Sequence, residues 1–475
     1  MRTHGKIYWS RSKKRSVDLF SSPSDVITSL ADLYPTSGLP ISPRDEAVFL
    51  LHVAAEVEHA LLVQYLYAMF SFGPPMELPK EVQDWAKDLR TVAMQEMGHL
   101  MTVQNIVIAL GGPIAFDRED YPIQSVFYPF PFTLERPTRD LFAKYVVAEM
   151  PPIETIPSSQ KPLVDQAMIR SEIANGGVSV NRVGALYAKI IEVVGDIAES
   201  KFSFGTAATF QAAPGSKELS GTSGPNPPPP QTPMTSIMTW PIDSKDSAVK
   251  ALELIARQGE GPTRCEENSH FEKFLNIFKC FPETNPLFGQ IRPNPTQPVP
   301  TNPIASDAPP FNVSKITDPI SLPLAQFANL RYRLLLEMLS HYLQIDRTCR
   351  PQCKAVLAHQ CIFEMGNTVT PVAIALTTLS RQRPTLYGDD GQKLVAAFPF
   401  EMPYTLALNP DESIRWRSHV DNFHRSDEIA EQLAESAQCP DEIRTSLKTI
   451  LGNDKNAIAK MQHAAENPKV DCLSG

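Results

Sequence analysis

The segment around Glu96 and His99 places a carboxylate and an imidazole three residues apart. If the segment is helical, both side chains lie on one face and can reach the same point. That face is otherwise apolar, and an unpaired buried carboxylate is very costly, so both groups need partners. A metal ion is one such partner. The apolar residues of the face are Leu89, Val92, Ala93, Val103, Ile106, Val107 and Leu110.

Two other segments carry the same kinds of side chain. Glu58 lies at the centre of an apolar stripe in the first long segment. Glu267-Asn-Ser-His270 repeats the glutamate–histidine spacing later in the chain, and Glu260 precedes it. These residues are therefore further candidate ligands. The stripe around Glu58 consists of Leu51, Ala54, Ala55, Leu61, Leu62 and Tyr65.

Buried glutamates on two helices, one with the Glu-x-x-His spacing, are typical of carboxylate-bridged metal sites in four-helix bundles. Carboxylates bridge two cations, imidazoles complete the coordination, and open positions remain for dioxygen and substrate. We therefore expect iron, with two ions favoured over a single ion. Manganese uses the same ligands and is the alternative.

A third helix should supply one more glutamate, and Glu192 is the best placed. Its surroundings are mixed, because Lys189, Asp196 and Glu199 lie along the same face. By periodicity, Glu192 fits a solvated surface position equally well. The strongly apolar face of this segment is instead Leu186, Ile190, Val193 and Ile197.

Two other functions use the same residues. One is iron storage without substrate oxidation, although storage proteins need small uniform subunits and this chain has 475 residues with irregular insertions. The other is a metal-free helical scaffold in which arginines pair with the buried glutamates. A single Glu-x-x-His pair discriminates poorly, because such pairs also occur on helix surfaces.

Positioning these side chains requires long helices, and the sequence favours a mainly α fold. Segments with strong helix formers alternate with proline-rich stretches, while strand patterns are sparse. Gly111-Gly112 is a plausible stop for the second helix. The predicted helices are 43–72, 81–110, 180–202, 244–278 with an interruption at Gly259-Glu-Gly-Pro262, 324–344, 353–381 and 411–436.

The 44 prolines are clustered and mark the connections. We expect an N-terminal extension at 1–40 and a ferritin-like bundle at 41–281 with a proline-rich insert at 213–235. A proline-rich connection at 282–323 and a C-terminal helical region at 324–475, packed on the bundle, complete the predicted organisation.

Composition excludes some classes of function. The net charge of −9 comes from dispersed residues without a basic footprint, so we expect no nucleic-acid partner. Apolar stretches are interrupted by charges, so we expect no membrane association. The N-terminus has no apolar signal core, and we interpret the seven cysteines as reduced thiols of a cytoplasmic protein.

Several short motifs occur together from about residue 40 to about residue 435. They are Glu56-Val-Glu58-His-Ala-Leu-Leu-Val-Gln-Tyr65, Gln95-Glu96-Met-Gly-His99-Leu, Leu110-Gly-Gly, Gly184-Ala-Leu-Tyr187, Gln258-Gly-Glu260-Gly, Ser269-His270-Phe271 and Pro399-Phe-Glu401-Met-Pro. In this combination the chain resembles the ferritin-like domain of iminophenyl-pyruvate dimer synthase proteins, which act in the biosynthesis of violacein- and rebeccamycin-type pigments. It is similar to a stand-alone member.

The resemblance implies a metal-binding bundle with metal roles at Glu58, Glu96, His99, Glu260 and His270. It favours Glu260 over Glu267, which stays the alternate. Two departures limit the transfer. The chain lacks the further region of the large pigment enzymes, so the dimerisation reaction is not carried over. Position 185, where an acidic or polar residue is expected, is alanine, so the third-helix ligand stays open.

The sequence thus predicts a non-haem, di-iron oxidoreductase of secondary metabolism that activates dioxygen on a small organic substrate. Its predicted metal ligands are Glu58, Glu96, His99, Glu192, Glu260 and His270. We expect a monomer or homodimer. The substrate and the reaction outcome are not contained in these patterns.

Overall fold

Two long helices pack side by side along most of their lengths: α1 (Pro43–Phe70) and α2 (Lys80–Ala109). Ser42 caps α1 by accepting a hydrogen bond from the amide of Asp45. The helices are antiparallel, since Arg44 near the start of α1 donates to the Leu110 carbonyl at 2.6 Å. The predicted stop of α2 is confirmed: Gly111 has φ +67°, a conformation that favours glycine.

The structure, a computed structural model, describes residues 41–75, 78–123, 127–212, 239–260, 269–307, 312–388, 391–402 and 406–467. The N-terminal extension at 1–40 and the whole proline-rich insert at 213–235 lie outside these residues. Shorter helices pack around α1 and α2. They are α3 (Arg139–Glu149), α4 (Lys161–Ala174), α5 (Val183–Asp196), α6 (Phe204–Ala207), α7 (Lys245–Glu260) and α8 (His270–Cys280), with 3₁₀ turns at Glu199–Lys201 and Pro286–Phe288.

The C-terminal helices form a second layer. They are α9 (Ser321–Tyr342), α10 (Pro351–Glu364), a π-helical segment (Met365–Val369), α11 (Thr370–Leu376), α12 (Glu412–Glu435) and α13 (Asp441–Glu466). The connection before α9 contains a two-residue parallel pair, β1 (Pro303–Ile304) with β2 (Ser314–Lys315). In the described residues, the buried apolar side chains of both layers form one continuous core.

The fold class is confirmed as mainly α and ferritin-like. Four of the described helices were absent from the sequence prediction: α3, α4, α13 and the four-residue α6. α3 and α4 are short and lie between proline-containing turns, so their periodicity covers few residues. No helix in the described part is both long and apolar enough to cross a membrane.

The interpretation of all cysteines as reduced thiols is corrected at one position. Cys280, Cys349, Cys361 and Cys439 are free thiols, whereas Cys353 is disulfide-bonded. Disulfide pairing depends on which cysteines the fold brings together. Irregular sequence spacing does not contain that information.

Candidate metal centre

Glu96 and His99 lie together inside the molecule, as their spacing on α2 requires. The Glu96 Oε2 atom is 3.0 Å from His99 Nδ1, and both side chains are almost fully buried. Glu58 reaches the same point from α1, with its Oε2 atom 3.4 Å from His99 Nδ1. These three residues form the first ligand group.

A second ligand group shares Glu96 with the first. The Nδ1 atom of His270, the first residue of α8, is 3.0 Å from Glu96 Oε1. Glu149, the last residue of α3, places its Oε2 atom 3.6 Å from the same nitrogen. Within each group the candidate ligand atoms all lie within 4.8 Å of one another. The two oxygens of one carboxylate, Glu96, therefore face two separate groups.

Two glutamines fix the orientation of the imidazoles. The Nε2 atom of His99 is 2.8 Å from Gln258 Oε1, and that of His270 is 3.2 Å from Gln95 Oε1. An amide oxygen only accepts, so each Nε2 carries the proton in this arrangement. Each Nδ1 then faces the carboxylates, and it would be the nitrogen that binds a metal once it has lost its proton.

Two tyrosines hold the outer glutamates. The Tyr65 hydroxyl donates to Glu149 Oε1 at 2.6 Å, and the Tyr187 hydroxyl donates to Glu58 Oε1. Each glutamate thus has one oxygen fixed by a tyrosine and the other directed at a histidine. Such hydrogen bonds orient metal-binding carboxylates.

The electrostatics of the site show strong coupling. Burial, and next the charge of Glu96, raise the pKa of Glu58 well above its usual value. Burial opposes ionisation of Glu96 as well, but His270 and several hydrogen bonds hold its pKa well below the usual value. Burial disfavours charged imidazoles, yet the carboxylates raise the pKa of His99 and of His270. The site therefore attracts positive charge.

The donor set fits a pair of cations. Glu58 Oε2 and His270 Nδ1 are buried without a hydrogen-bond partner among the described residues. Among the same described residues, Glu58, Glu96 and Glu149 form ion pairs with histidines and not with lysine or arginine. Three carboxylates and two imidazoles are the ligand types that iron and manganese accept.

A narrow cavity of about 10 Å³ reaches the two ligand groups, about the space of one water molecule. A Cβ atom at Gly259 would lie 2.8 Å from Glu149 Oε2, so a side chain at this position would displace that carboxylate oxygen. The lining outside the ligand groups and Tyr187 is otherwise small or apolar: Val183, Gly184, Ile255, Ala256 and Gly259.

Of the residues predicted from the sequence, the structure brings Glu58, Glu96, His99 and His270 together. Glu260 ends α7, but only its backbone is described, and Glu267 lies outside the described residues. The choice between these two glutamates therefore stays a prediction.

The prediction that Glu192 is a metal ligand is corrected. Its side chain is 62% exposed and pairs with Lys189 at 2.9 Å, so it takes no part in the ligand groups. The reason is the orientation of α5 about its own axis. α5 turns Tyr187 and Ile190 inward, which leaves Glu192 on the solvent side.

The sequence reasoning missed Glu149. Its signal was a single acidic residue at the end of an apolar run, Leu141 to Met150. The run is short and is followed by Pro151-Pro152, so it was not predicted as a helix. The roles of Gln95, Gln258 and Tyr187 were also missed, whereas Tyr65 already belonged to the predicted stripe around Glu58.

Comparison with known proteins supports the resemblance drawn from the motifs. Residues 51–279 match the family model described as Ferritin-like. Dichlorochromopyrrolate synthase of Lentzea aerocolonigenes is 24% identical over 400 residues, which cover 76% of this chain. The chain spans 37% of that protein's length. No solved structure matches. Both findings fit the predicted family.

Proposed function

We propose that this ferritin-like chain is a non-haem oxidoreductase that holds two iron ions and acts with dioxygen on a small organic substrate in secondary metabolism. One observation carries the proposal: the two oxygens of Glu96 face two histidines, and a second glutamate completes each group. A single carboxylate shared between two groups is the arrangement that two adjacent cations require.

Glu58, Glu96 and His99 would hold one ion, and Glu96, Glu149 and His270 the other. Bound there, the metal would supply redox chemistry toward dioxygen that protein side chains lack. Tyr65 and Tyr187 would keep the outer carboxylates in place, as their hydrogen bonds already do.

The chain's other contribution is exclusion of water. The cavity at the ligand groups has room for about one small molecule, which suits a diatomic co-substrate. Its walls come from α5 and α7, so we expect the organic substrate to approach from that side. Dry walls also strengthen the electrostatic interactions inside the site.

The relative supports an enzymatic role and a small organic substrate. Dichlorochromopyrrolate synthase is an enzyme by its name, and this chain matches about a third of it. We do not extend its reaction to this chain, because the part that the match leaves out is larger than the part it includes. The relative therefore supports a small organic substrate in general and not a particular product.

The test is oxygen chemistry of the iron-loaded protein. Metal-free protein receives ferrous iron without oxygen and is then exposed to air, while absorption and oxygen consumption are recorded. We expect a transient oxygen-dependent absorption and fast oxygen uptake. Both should be lost in a variant with His99→Ala and His270→Ala, and both should persist in Glu192→Gln, which removes an exposed glutamate.

Two results would contradict the proposal. If the double histidine variant consumed oxygen as fast as the parent protein, the chemistry would not arise at this site. If each chain accumulated far more than two irons without dependence on an added organic substrate, iron storage would be the better description.

A further inference from the structure

A second, larger cavity lies between α1 and α2 on one side and the C-terminal layer on the other. Its volume is about 210 Å³, against about 10 Å³ for the cavity at the ligand groups. An apolar cavity of roughly 150 Å³ already binds benzene, so this one can hold a larger apolar molecule. Among the apolar residues that line it are Leu62, Leu66, Leu100, Leu335, Leu339 and Ile362.

The two cavities lie on opposite faces of the same helices. On α1, Glu58 and Tyr65 face the ligand groups, whereas His59 and Leu66 line the larger cavity. On α2, Glu96 faces the ligand groups and the next residue, Met97, lines the larger cavity. The two cavities share no lining residue. The larger cavity is therefore a separate site.

The larger cavity is elongated. Its lining follows α1 from His59 to Phe70 and α2 from Arg90 to Leu100. At 1.5 Å per residue, both stretches are about 15 Å long. Unbranched methionine side chains adapt to flexible apolar ligands. Four contribute here: Met69, Met94, Met97 and Met365.

The polar groups of this cavity differ at its two sides. Arg90 is exposed, and no ion pair or side-chain hydrogen bond within the described residues holds its guanidinium. At the buried side, His59 Nδ1 bonds to the Phe116 carbonyl at 2.9 Å, and His59 Nε2 accepts from Tyr332 at 2.5 Å. Burial and the charge of Arg118 lower the pKa of His59, which keeps it neutral. The cavity thus combines a cation at the surface with an uncharged interior.

A π-helical segment adds to the mouth of the cavity. Met365, Gly366 and Val369 belong to this segment and line the cavity, and Gly366 is exposed like Arg90. Single π-helical turns occur frequently at functional sites. Among the described residues, Arg90 is the charged residue of this apolar lining, and such a channel is complementary to an anion with a linear apolar tail.

We propose that this cavity binds a linear aliphatic carboxylate of medium chain length, such as a free fatty acid. The carboxylate lies at Arg90, and the alkyl chain lies between α1, α2 and α9. The site is independent of the metal centre.

The test is a fluorescence titration of the full-length protein with dansyl-undecanoate. We expect saturation at one probe per chain and displacement by dodecanoate. Dodecyltrimethylammonium has the same tail and the opposite charge, and it should displace the probe poorly. Glu96→Gln should leave probe binding unchanged, because it alters only the metal centre.

Two pairs of variants locate the site. Arg90→Gln should weaken binding about fivefold, the upper range for a pair exposed to solvent. Lys87→Gln, which removes an exposed charge one turn earlier on α2, should not. Gly366→Trp should abolish most binding by filling the mouth, whereas Gly366→Ala should not, since a Cβ there meets nothing within 4 Å.

The proposal is overturned by any of three results: no saturable binding, equal displacement by the cationic amphiphile, or unchanged binding in both Arg90→Gln and Gly366→Trp. If Gly366→Trp does not fold, Arg90→Gln and the two competitors still decide the matter.

Discussion

The molecule contains two buried acidic clusters that solve the same electrostatic problem differently. The bundle cluster has three carboxylates, Glu58, Glu96 and Glu149, with two histidines. In the described residues, its glutamates pair with those histidines and not with arginine or lysine. Positive charge must therefore come from protons or from bound cations.

The arginine cluster in the C-terminal layer also has three carboxylates, but it contains its own cation. Arg331 lies 3.4 Å from Glu364 and 3.1 Å from Asp427, and it pairs closely with Asp454. The arginine is fully buried. Its guanidinium has a fixed charge and several donors, so the cluster needs no outside ligand.

The difference indicates what each cluster is for. A buried charge without a partner is not tolerated, so a cluster with a fixed arginine serves the structure. A cluster with imidazole nitrogens directed at carboxylates has ligand atoms that a metal can use in place of protons. Similar acidic composition thus leads to a structural ion-pair network in one layer and a candidate metal centre in the other.

The largest expected effect comes from removing the fixed cation. Arg331→Met leaves buried carboxylates unpaired and should lower the free energy of unfolding by about 3–5 kcal/mol. Chemical denaturation measures the change. Arg331→Met combined with Asp454→Leu should recover part of the loss, because one unpaired carboxylate is removed as well. A single variant as stable as the parent would show that the network is not needed.

The next effect is stabilisation by metal. Binding to the folded state alone, at a hundredfold excess over Kd, adds about 2.7 kcal/mol per site. Ferrous iron added without oxygen should therefore raise the Tm of metal-free protein in calorimetry. Glu96→Gln should abolish the rise, whereas Glu192→Gln should retain it. A rise of equal size in Glu96→Gln would place the metal elsewhere.

Loss of one supporting hydrogen bond is expected to be smaller. Tyr187→Phe removes the donor to Glu58 and should weaken metal binding about tenfold. Tyr145→Phe is the matched control, because Tyr145 is equally buried and, within the described part of the chain, its hydroxyl donates only to the Gln64 carbonyl at 3.4 Å. Competition with a chelator measures the metal affinity of both variants. Equal affinity in the two variants would mean that the Tyr187 hydroxyl does not support the ligand.

The smallest effect concerns pH in the arginine cluster. Burial, and next the charge of Asp454, raise the pKa of Asp427 to about 8. The folded state therefore binds a proton more readily than the unfolded chain, so stability falls as pH rises toward about 8.

Asp427→Asn should reduce that fall by about 1 kcal/mol, a value discounted for partial solvent contact. Denaturation at about pH 5 and about pH 8 gives the comparison. Asp421→Asn, which changes an exposed aspartate on α12, should behave like the parent protein. If the stability of Asp427→Asn changed with pH as that of the parent protein does, Asp427 would not be the group that binds this proton.

The sequence was sufficient where a pattern extends over many residues. The long apolar stripes of α1 and α2 predicted both helices and directed attention to Glu58, Glu96 and His99. Three-residue spacing in a helix fixes a shared face, so the geometry follows from the chain itself. Gly111 was also recognised as a helix stop from local sequence, because helices commonly end at a glycine.

The sequence was insufficient where the position of a side chain depends on tertiary packing. Glu149 ends an 11-residue helix whose stripe is too short to recognise. Glu192 fitted either face by periodicity, and only the packing of α5 turned it outward. The arginine cluster joins residues up to 123 positions apart, Arg331 and Asp454 among them. No local spacing could have indicated that pairing.

The most direct test is the metal stoichiometry of the bundle cluster. Metal-free protein is titrated with ferrous iron without oxygen, and bound metal is counted per chain. The account predicts about two ions for the parent protein and for Glu192→Gln, and loss of tight binding at both positions in Glu96→Gln, since both groups share that carboxylate. A correctly folded parent protein that binds no metal, or a Glu96→Gln variant that keeps both ions, would contradict it.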